Sequence, residues 1–398
     1  MPKIHDIIII WAWAAGLFAS INVPKNLSKL ILEKNKTPWT KILLSGWERA
    51  NVSNMDIESE RDYFGQNTKS LIWMFKRYNQ YDTMSFFAEN WVNIIEEDRW
   101  RLILESWDSR ELLDILLKKS KENNTEIKYN SWVENIVKNE EIFEIITNTW
   151  DKFIAKNVLI TTWWKSFFQS WTTWDWYAWA RDFWHTIITP QRWLCGVVSK
   201  KDLSEISWIS SDLKIELFDK NSTKPIYQEF WPLLFTHFWL SGPIVFNLAV
   251  ALWNYLNKIN LYSFINNLDL SNIKETEKND YIVREYLKEN ISINIEFDIK
   301  KTPKRVVKFF EITSEDNKRN LFLQDFRTWK EAKVTTWWVK LDELTNNLES
   351  KFTPGIYFAW EILDLTGKTW GFNLQLAWTT WYIVWKSFEW NLINNTYR

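Results

Sequence analysis

The chain has 398 residues, among them 31 Trp, 8 Gly and 1 Cys, with 49 Lys and Arg against 50 Asp and Glu. That balance leaves no global field to gather nucleic acid or an anionic membrane, and one cysteine excludes a disulfide framework and fits a reducing compartment. The length accommodates two or three domains with real cores.

Glycine ordinarily makes up about 7% of a chain, so here it is depleted roughly threefold while Trp outnumbers both Phe and Tyr. One economical reading is that most Trp letters stand where the native polypeptide has glycine, as happens when a stop codon reassigned to glycine is translated as tryptophan.

In chain order, the apolar stretch Ile7 to Ile21 is too short for a membrane span and lacks a basic flank, since Lys3 is followed by His5 and Asp6. It reads as part of a soluble cytoplasmic protein, with His5 solvent-exposed. Ile7 to Ile10 reads as a strand, and Trp11-Ala12-Trp13-Ala14-Ala15-Gly16 follows, before a helical apolar pattern through Leu17, Phe18 and Ile21. With glycine at 11 and 13 this becomes G-x-G-x-x-G between a strand and a helix, the context that lets a backbone approach a pyrophosphate at a helix N-terminus. A second strand, Leu27 to Leu32, ends at Glu33, where an acid can accept from ribose hydroxyls.

Helices are predicted at Ser70 to Tyr78 and Ser109 to Asn123, the latter from the spacing of Leu112, Leu113, Ile115 and Leu116. Short strands near Glu126 to Tyr129, Val133 to Lys138 and Ile142 to Thr147 read as a meander. The strand Asn157 to Ile160 runs into Thr161-Thr162-Trp163-Trp164, a tight turn if read as TTGG. From about 191 to 327 the pattern changes to strands such as Leu213 to Phe218 and Ile291 to Ile299 around a helical part, about 250–290. We therefore expect an α/β protein with a dinucleotide-binding unit over 1–190 and 328–398, interrupted by a region of different character over 191–327 that resembles an inserted substrate domain.

Five segments carry a resemblance to a known family: IIIIWAWAAG, KILLSGWERANVSN, TTWWKSFFQSWTTWDWYAWARDFWH, LLFTHFWLSGP and FAWEILDLTGKTWGFNLQLAWTTWYIVW. With Trp read as Gly, their order and spacing resemble the YhiN-like (BaiN-type) NAD(P)/FAD-dependent oxidoreductases, some of which carry the name aminoacetone oxidase. The resemblance implies a Rossmann-like domain, a parallel sheet with a β-meander, and an inserted domain with a β-barrel-like part and a helical part. It implies FAD held in an extended pose.

Trp11, Trp13, Ala14, Ala15 and Gly16 would hold the pyrophosphate, and Glu33 the adenosine ribose, with Lys34 and Lys41 counted among the cofactor-binding residues. Gly46, Trp47, Arg49 and Asn51 would form a loop near pyrophosphate and flavin. Val133 would meet the adenine, and Thr162 and Trp163 would pass beneath the cofactor. Trp360 and Glu361 would contact ribityl or phosphate. Trp370, Gly371, Phe372, Asn373 and Leu374 would present a helix N-terminus to the flavin pyrimidine edge, where amides favour negative charge. The chain departs from the family pattern at Glu48, Ala50, Phe168 and Phe372, which stand for the usual Gly, Cys, Pro and Tyr.

Few protein groups need be catalytic when a flavin does the chemistry. His237 is the candidate proton donor or substrate contact, weighed against a plain hydrogen-bonded histidine. His185 reads as a helix-end partner, Arg49 as a pyrophosphate fork or a surface ion pair, and Glu361 and Asp364 as turn acids or site groups. The run Lys300, Lys301, Lys304, Arg305 and Lys308 reads as a solvated face, Cys195 as non-nucleophilic, and no metal cluster is available.

The leading function is hydride transfer from NAD(P)H through FAD to a small organic acceptor such as an activated C=C, with no nucleic acid or membrane partner. The alternatives are an oxidase of a small amine or ketone using O2, a non-catalytic flavin-binding protein, and an aromatic-rich binding protein whose indoles are literal. Oligomeric state is not readable.

Overall fold

The computed structural model describes residues 3–12, 14–38, 51–161, 175–187, 191–336 and 339–396. The expectations at Trp13, Lys41, Gly46, Trp47, Arg49, Thr162 and Trp163 fall outside that range. Two units are present among the described residues, one including residues 3–12, 14–38, 51–161, 175–187, 336 and 339–396, the other residues 191–335.

In the first unit, β1 (Ile4–Ile10) leads through α1 (Ala14–Asn22) to β2 (Lys29–Leu32). Then come α2 (Ser109–Glu122), β3 (Thr125–Lys128), β4 (Val133–Asn139), β5 (Ile142–Thr147) and β6 (Lys152–Ile160). β1 lies between β2 and β6 and parallel to both, with Ile8 opposite Leu30 and Val158, and β3 extends the parallel set beside β2. Strand Ile356–Phe358 also pairs parallel with β6. Ile7 to Ile10 are all fully buried, as an unbroken isoleucine run requires when both faces of a parallel strand are covered. On the other side β6 pairs antiparallel with β5 and β5 with β4. There burial alternates along β5, as expected of a meander with one wet face.

α2 starts where the Asp108 carboxylate accepts the Arg110 amide at 2.9 Å, and it buries Leu112 and Leu116. α1 packs on α2 and on the long C-terminal helix Phe372–Thr396.

One expectation is corrected here. His5 is 4% exposed, because β1 is an interior strand whose residue 5 faces Ala155 of β6 rather than a free chain end. Burial holds its pKa below the ordinary histidine value.

The second unit is built on β7 (Val197–Ser199), β8 (Ser210–Asp219), β9 (Tyr227–Phe235), β10 (Trp239–Ser241), β11 (Ile291–Glu296) and β12 (Lys318–Phe326). They close into an antiparallel barrel in the order β7-β10-β9-β8-β11-β12. Along β8 every second residue is buried, including Leu213, Ile215 and Leu217, which is the periodicity that fills a barrel interior. The helical part includes Pro243–Leu256 and Glu275–Asn290. It begins earlier than the charge pattern suggests, because Pro243 at the first helical position, after Gly242 at φ 94°, starts a helix that is apolar nearly all round. Cys195 is fully buried, donates its thiol to the Arg192 carbonyl at 3.2 Å and is pushed up to about 12, so it is no nucleophile. Among the described residues no helix is long and apolar enough to cross a membrane, and no three His, Cys, Asp or Glu converge as a metal site.

Candidate dinucleotide site

The turn after β1 is held by its own backbone and by one acid. The Trp11 amide donates to the Leu32 carbonyl at 2.8 Å, and the Ala12 amide donates to Glu33 Oε2 at 2.8 Å. Glu33 Oε1 accepts from the backbone and side-chain nitrogens of Asn35 at 2.8 and 2.9 Å. The carboxyl is fully buried, and desolvation raises its pKa against those hydrogen bonds. Glu33 therefore ties the end of β2 to the β1–α1 turn; Oε1 already accepts twice, and Oε2, with one donor, retains a lone pair for another. A Cβ on Gly16 would lie 2.1 Å from the Trp11 carbonyl oxygen, so only glycine lets α1 start this close to the turn. The Thr161 hydroxyl, at the end of β6, donates to the Ile10 and Trp11 carbonyls at 2.5 and 3.1 Å. The Lys34 ammonium sits 3.9 Å from the Trp132 ring centroid, and Val133 is fully buried at the start of β4.

A second cluster surrounds the N-terminus of the C-terminal helix. Strand Asn51–Asn54 passes beneath it so closely that a Cβ on Gly371, whose φ is 97°, would lie 2.1 Å from the Ser53 carbonyl oxygen. Asn54 Nδ2 donates to the Trp370 carbonyl at 3.3 Å, Ser53 Oγ to Gln375 Oε1 at 2.6 Å, and the Tyr63 hydroxyl to the Phe372 carbonyl at 2.9 Å. Asn373 clasps Gly367 from both sides, accepting its amide at 2.8 Å and donating to its carbonyl at 2.9 Å. Leu374 is 9% exposed and packs inward. The Trp360 amide donates to Thr380 Oγ1 at 3.2 Å, and Glu361 lies in the turn Trp360–Ile362. Asn51 is 6% exposed, and its Oδ1 has no partner among the described residues.

Ser53 and Asn54 thus lie against the 370–374 helix start, and Asn51 opens the same strand. Residues 53, 54 and 63, which hold that helix start, were missed, although the N-V-S-N run was there to be read.

Asp364, which the sequence offered as a turn acid or a site group, is buried. It is 2% exposed; Oδ2 accepts the Gln66 amide at 3.1 Å, and Oδ1 has no partner. Burial pushes its carboxyl up to about 7, so the fold favours the protonated form. Stability from that preference is complete below the ordinary aspartate range and is lost as pH rises toward 7. Asp364→Asn should therefore flatten the fall in the urea midpoint between about pH 4 and pH 7; an unchanged pH slope would refute the assignment.

His237 lies in the second unit, exposed in the loop between β9 and β10, its carbonyl accepting the Leu203 amide at 2.8 Å. His185 is buried: Nε2 meets Ser350 Oγ at 2.8 Å and Nδ1 meets Glu343 Oε2 at 3.0 Å. Because Ser350 Oγ already accepts the Phe352 and Thr353 amides, its proton goes to Nε2, which leaves Nδ1–H to donate to the Glu343 carboxylate and closes the clasp around a buried imidazole.

Whether FAD fits can be judged from the backbone and from the side chains, which give different answers. The amide-rich β1–α1 turn, Gly16 and the left-handed Gly371 suit a chain that must touch a dinucleotide with bare backbone. The side chains at 11 and 360 do not. Trp11 is 4% and Trp360 2% exposed, so both indoles are packed inward at turns where only backbone should approach the cofactor. Trp11, Trp360 and Trp370 nevertheless have φ of 86°, 68° and 76°, the left-handed region that glycine favours.

The family described as HI0933-like protein Rossmann domain matches residues 5–386. A ribosomal RNA dihydrouridine synthase of Haemophilus influenzae is 26% identical, covering 96% of this chain and 98% of that protein. One from Escherichia coli is 24% identical over 94% and 96%. A 3-dehydro-bile acid delta(4,6)-reductase of Clostridium scindens is 22% identical over 94% and 97%. The chain belongs to the HI0933-like Rossmann-domain family of FAD-binding oxidoreductases, the YhiN/BaiN type.

Proposed function

We propose that this protein is a flavoprotein reductase that takes hydride from NAD(P)H and saturates an activated C=C of an organic acceptor. The observation that supports it most is the pairing, in one unit, of the glycine-backed β1–α1 turn beside Glu33 with a helix N-terminus introduced by Trp370 and Gly371. The first suits a pyrophosphate, and the second offers amides where a flavin ring gathers negative charge. FAD would supply the hydride chemistry when bound. The chain's own groups would hold it through the N-terminal amides of α1, Glu33, Asn51 and the 370–374 segment. His237 is proposed as proton donor or substrate contact.

The acceptor class draws on the relatives: a dihydrouridine synthase and a bile-acid delta(4,6)-reductase are both named for saturating a C=C. A second reading places that bond in an RNA pyrimidine, against the expectation of no nucleic-acid partner. It draws on the names of the two dihydrouridine synthases and on the exposed cations Lys300, Lys301, Lys304, Arg305 and Lys308. Charge balance over the whole chain measures a mean field and does not speak against such a local patch.

With glycine at positions 11, 13, 360 and 370, the protein should purify yellow, bleach under NADH or NADPH without oxygen, and recolour when an enone or a uridine-containing RNA is added. Recolouring by O2 alone supports the oxidase. A colourless protein defeats the proposal.

A further inference from the structure

We infer that the natural polypeptide carries glycine at nine positions written here as tryptophan, Trp11, Trp91, Trp100, Trp107, Trp150, Trp184, Trp208, Trp360 and Trp370, each specified by a reassigned stop codon. All nine have φ between 58° and 86°, whereas only seven described residues of all other non-glycine types have positive φ. Left-handed backbone is uncommon for any L-residue and is an outlier for a bulky one, so a concentration on the largest side chain has no packing rationale.

Local hydrogen bonding identifies what three of these positions require. After helix Gln80–Glu89 the Val92 amide reaches the Phe87 carbonyl and the Trp91 amide the Ala88 carbonyl, both at 3.0 Å. After helix Asp175–Asp182 the His185 amide reaches the Ala180 carbonyl at 2.9 Å and the Trp184 amide the Arg181 carbonyl at 2.8 Å. These are two complete Schellman terminations, whose left-handed residue is ordinarily glycine. Between β5 and β6, the Trp150 amide bonds to the Thr147 carbonyl at 2.8 Å, placing Trp150 at the left-handed position that follows a tight hairpin turn.

Exposure agrees with this reading. Trp91 is 93%, Trp184 81%, Trp150 79% and Trp208 66% exposed, so these indoles bury little that would offset their backbone strain.

Other tryptophans behave as tryptophan should. Trp378 is fully buried and donates Nε1–H to the Val52 carbonyl at 2.9 Å. Trp253 is 1% exposed, donates to the Arg192 carbonyl at 2.9 Å and stacks on Phe326 at 4.6 Å and 12°. Backbone conformation is what separates the nine from these two: Trp360 is itself 2% exposed and donates Nε1–H to the Asn373 carbonyl at 3.1 Å, and it is assigned by its φ of 68°. At Trp11, Trp360 and Trp370 the inference bears on the cofactor, because removing those side chains bares the backbone the dinucleotide would touch.

The test is peptide mass spectrometry on the protein isolated from its source cells. Glycine is expected at positions 91, 107, 150, 184 and 208, and tryptophan at 253 and 378; tryptophan at 91, 150 or 184 would overturn the inference. On the chain as written, W150G and W184G should each raise the urea midpoint, whereas W150A and W184A should fall short of them, since alanine keeps the left-handed penalty. Equal midpoints for Gly and Ala would also overturn it. Flavin content is read separately: glycine found at these positions in a colourless protein leaves this inference standing and removes the functional proposal.

Discussion

Gly371→Ala should be among the most damaging single-methyl changes in this protein. Two costs fall on one atom. The backbone there has φ 97°, which costs a non-glycine residue about 1–2 kcal/mol. The new Cβ would also stand 2.1 Å from the Ser53 oxygen and 2.4 Å from the Ser53 carbonyl carbon. Neither neighbour is a flexible side-chain end, so strand Asn51–Asn54 and the start of the C-terminal helix must separate. That separation loosens the Ser53–Gln375, Asn54–Trp370 and Trp378–Val52 hydrogen bonds together. We expect a loss of about 3 kcal/mol or more, read as a lower urea midpoint with an unchanged slope. A midpoint within about 0.5 kcal/mol of the parent's would show that strand and helix can part cheaply. Gly16→Ala, with its 2.1 Å approach to the Trp11 oxygen, should behave alike at the β1–α1 turn.

Trp378→Ala should cost about 3–5 kcal/mol, the range of large-to-small changes at fully buried aromatic sites. The indole lies between α1 and its own helix, 5.0 Å from the Phe18 ring and 6.0 Å from that of Phe87. Its removal leaves a cavity and an unpaired Val52 carbonyl. Trp378→Phe keeps most of the packing and loses only the hydrogen bond, so it should cost about 1–3 kcal/mol. Equal losses for Ala and Phe would mean that the hydrogen bond rather than the packing holds this junction. Either result also bears on the two classes of tryptophan, because a position that needs an indole must suffer when it is lost.

Much of the fold was legible because its elements carry local signatures. The buried run Ile7 to Ile10, the alternation of β5 and the leucine spacing of α2 each specify an element within a few residues. The stretch around Glu33 was legible as well, since a strand ending in an acid beside a glycine-type turn is a short-range arrangement. His5 was misread because its burial depends on β6, nearly 150 positions away. For Asp364 the residues around it left a turn acid and a site group equally open, because its burial depends on the approach of Gly65 and Gln66, some 300 positions away.

The sequence by itself determined the first strands and helices around the β1–α1 turn, the meander and the suspicion that tryptophan stands for glycine, because each depends on neighbouring residues or on composition. Only the tertiary structure sets the nine left-handed tryptophans apart from Trp253 and Trp378. A φ angle, a Schellman hydrogen bond and a buried indole N–H are properties of a chain already folded, and the letter W is the same in all of them. Tertiary structure alone also set strand Asn51–Asn54 against the helix start at Phe372, for a contact that spans some 320 residues is decided by packing and leaves no periodicity to read.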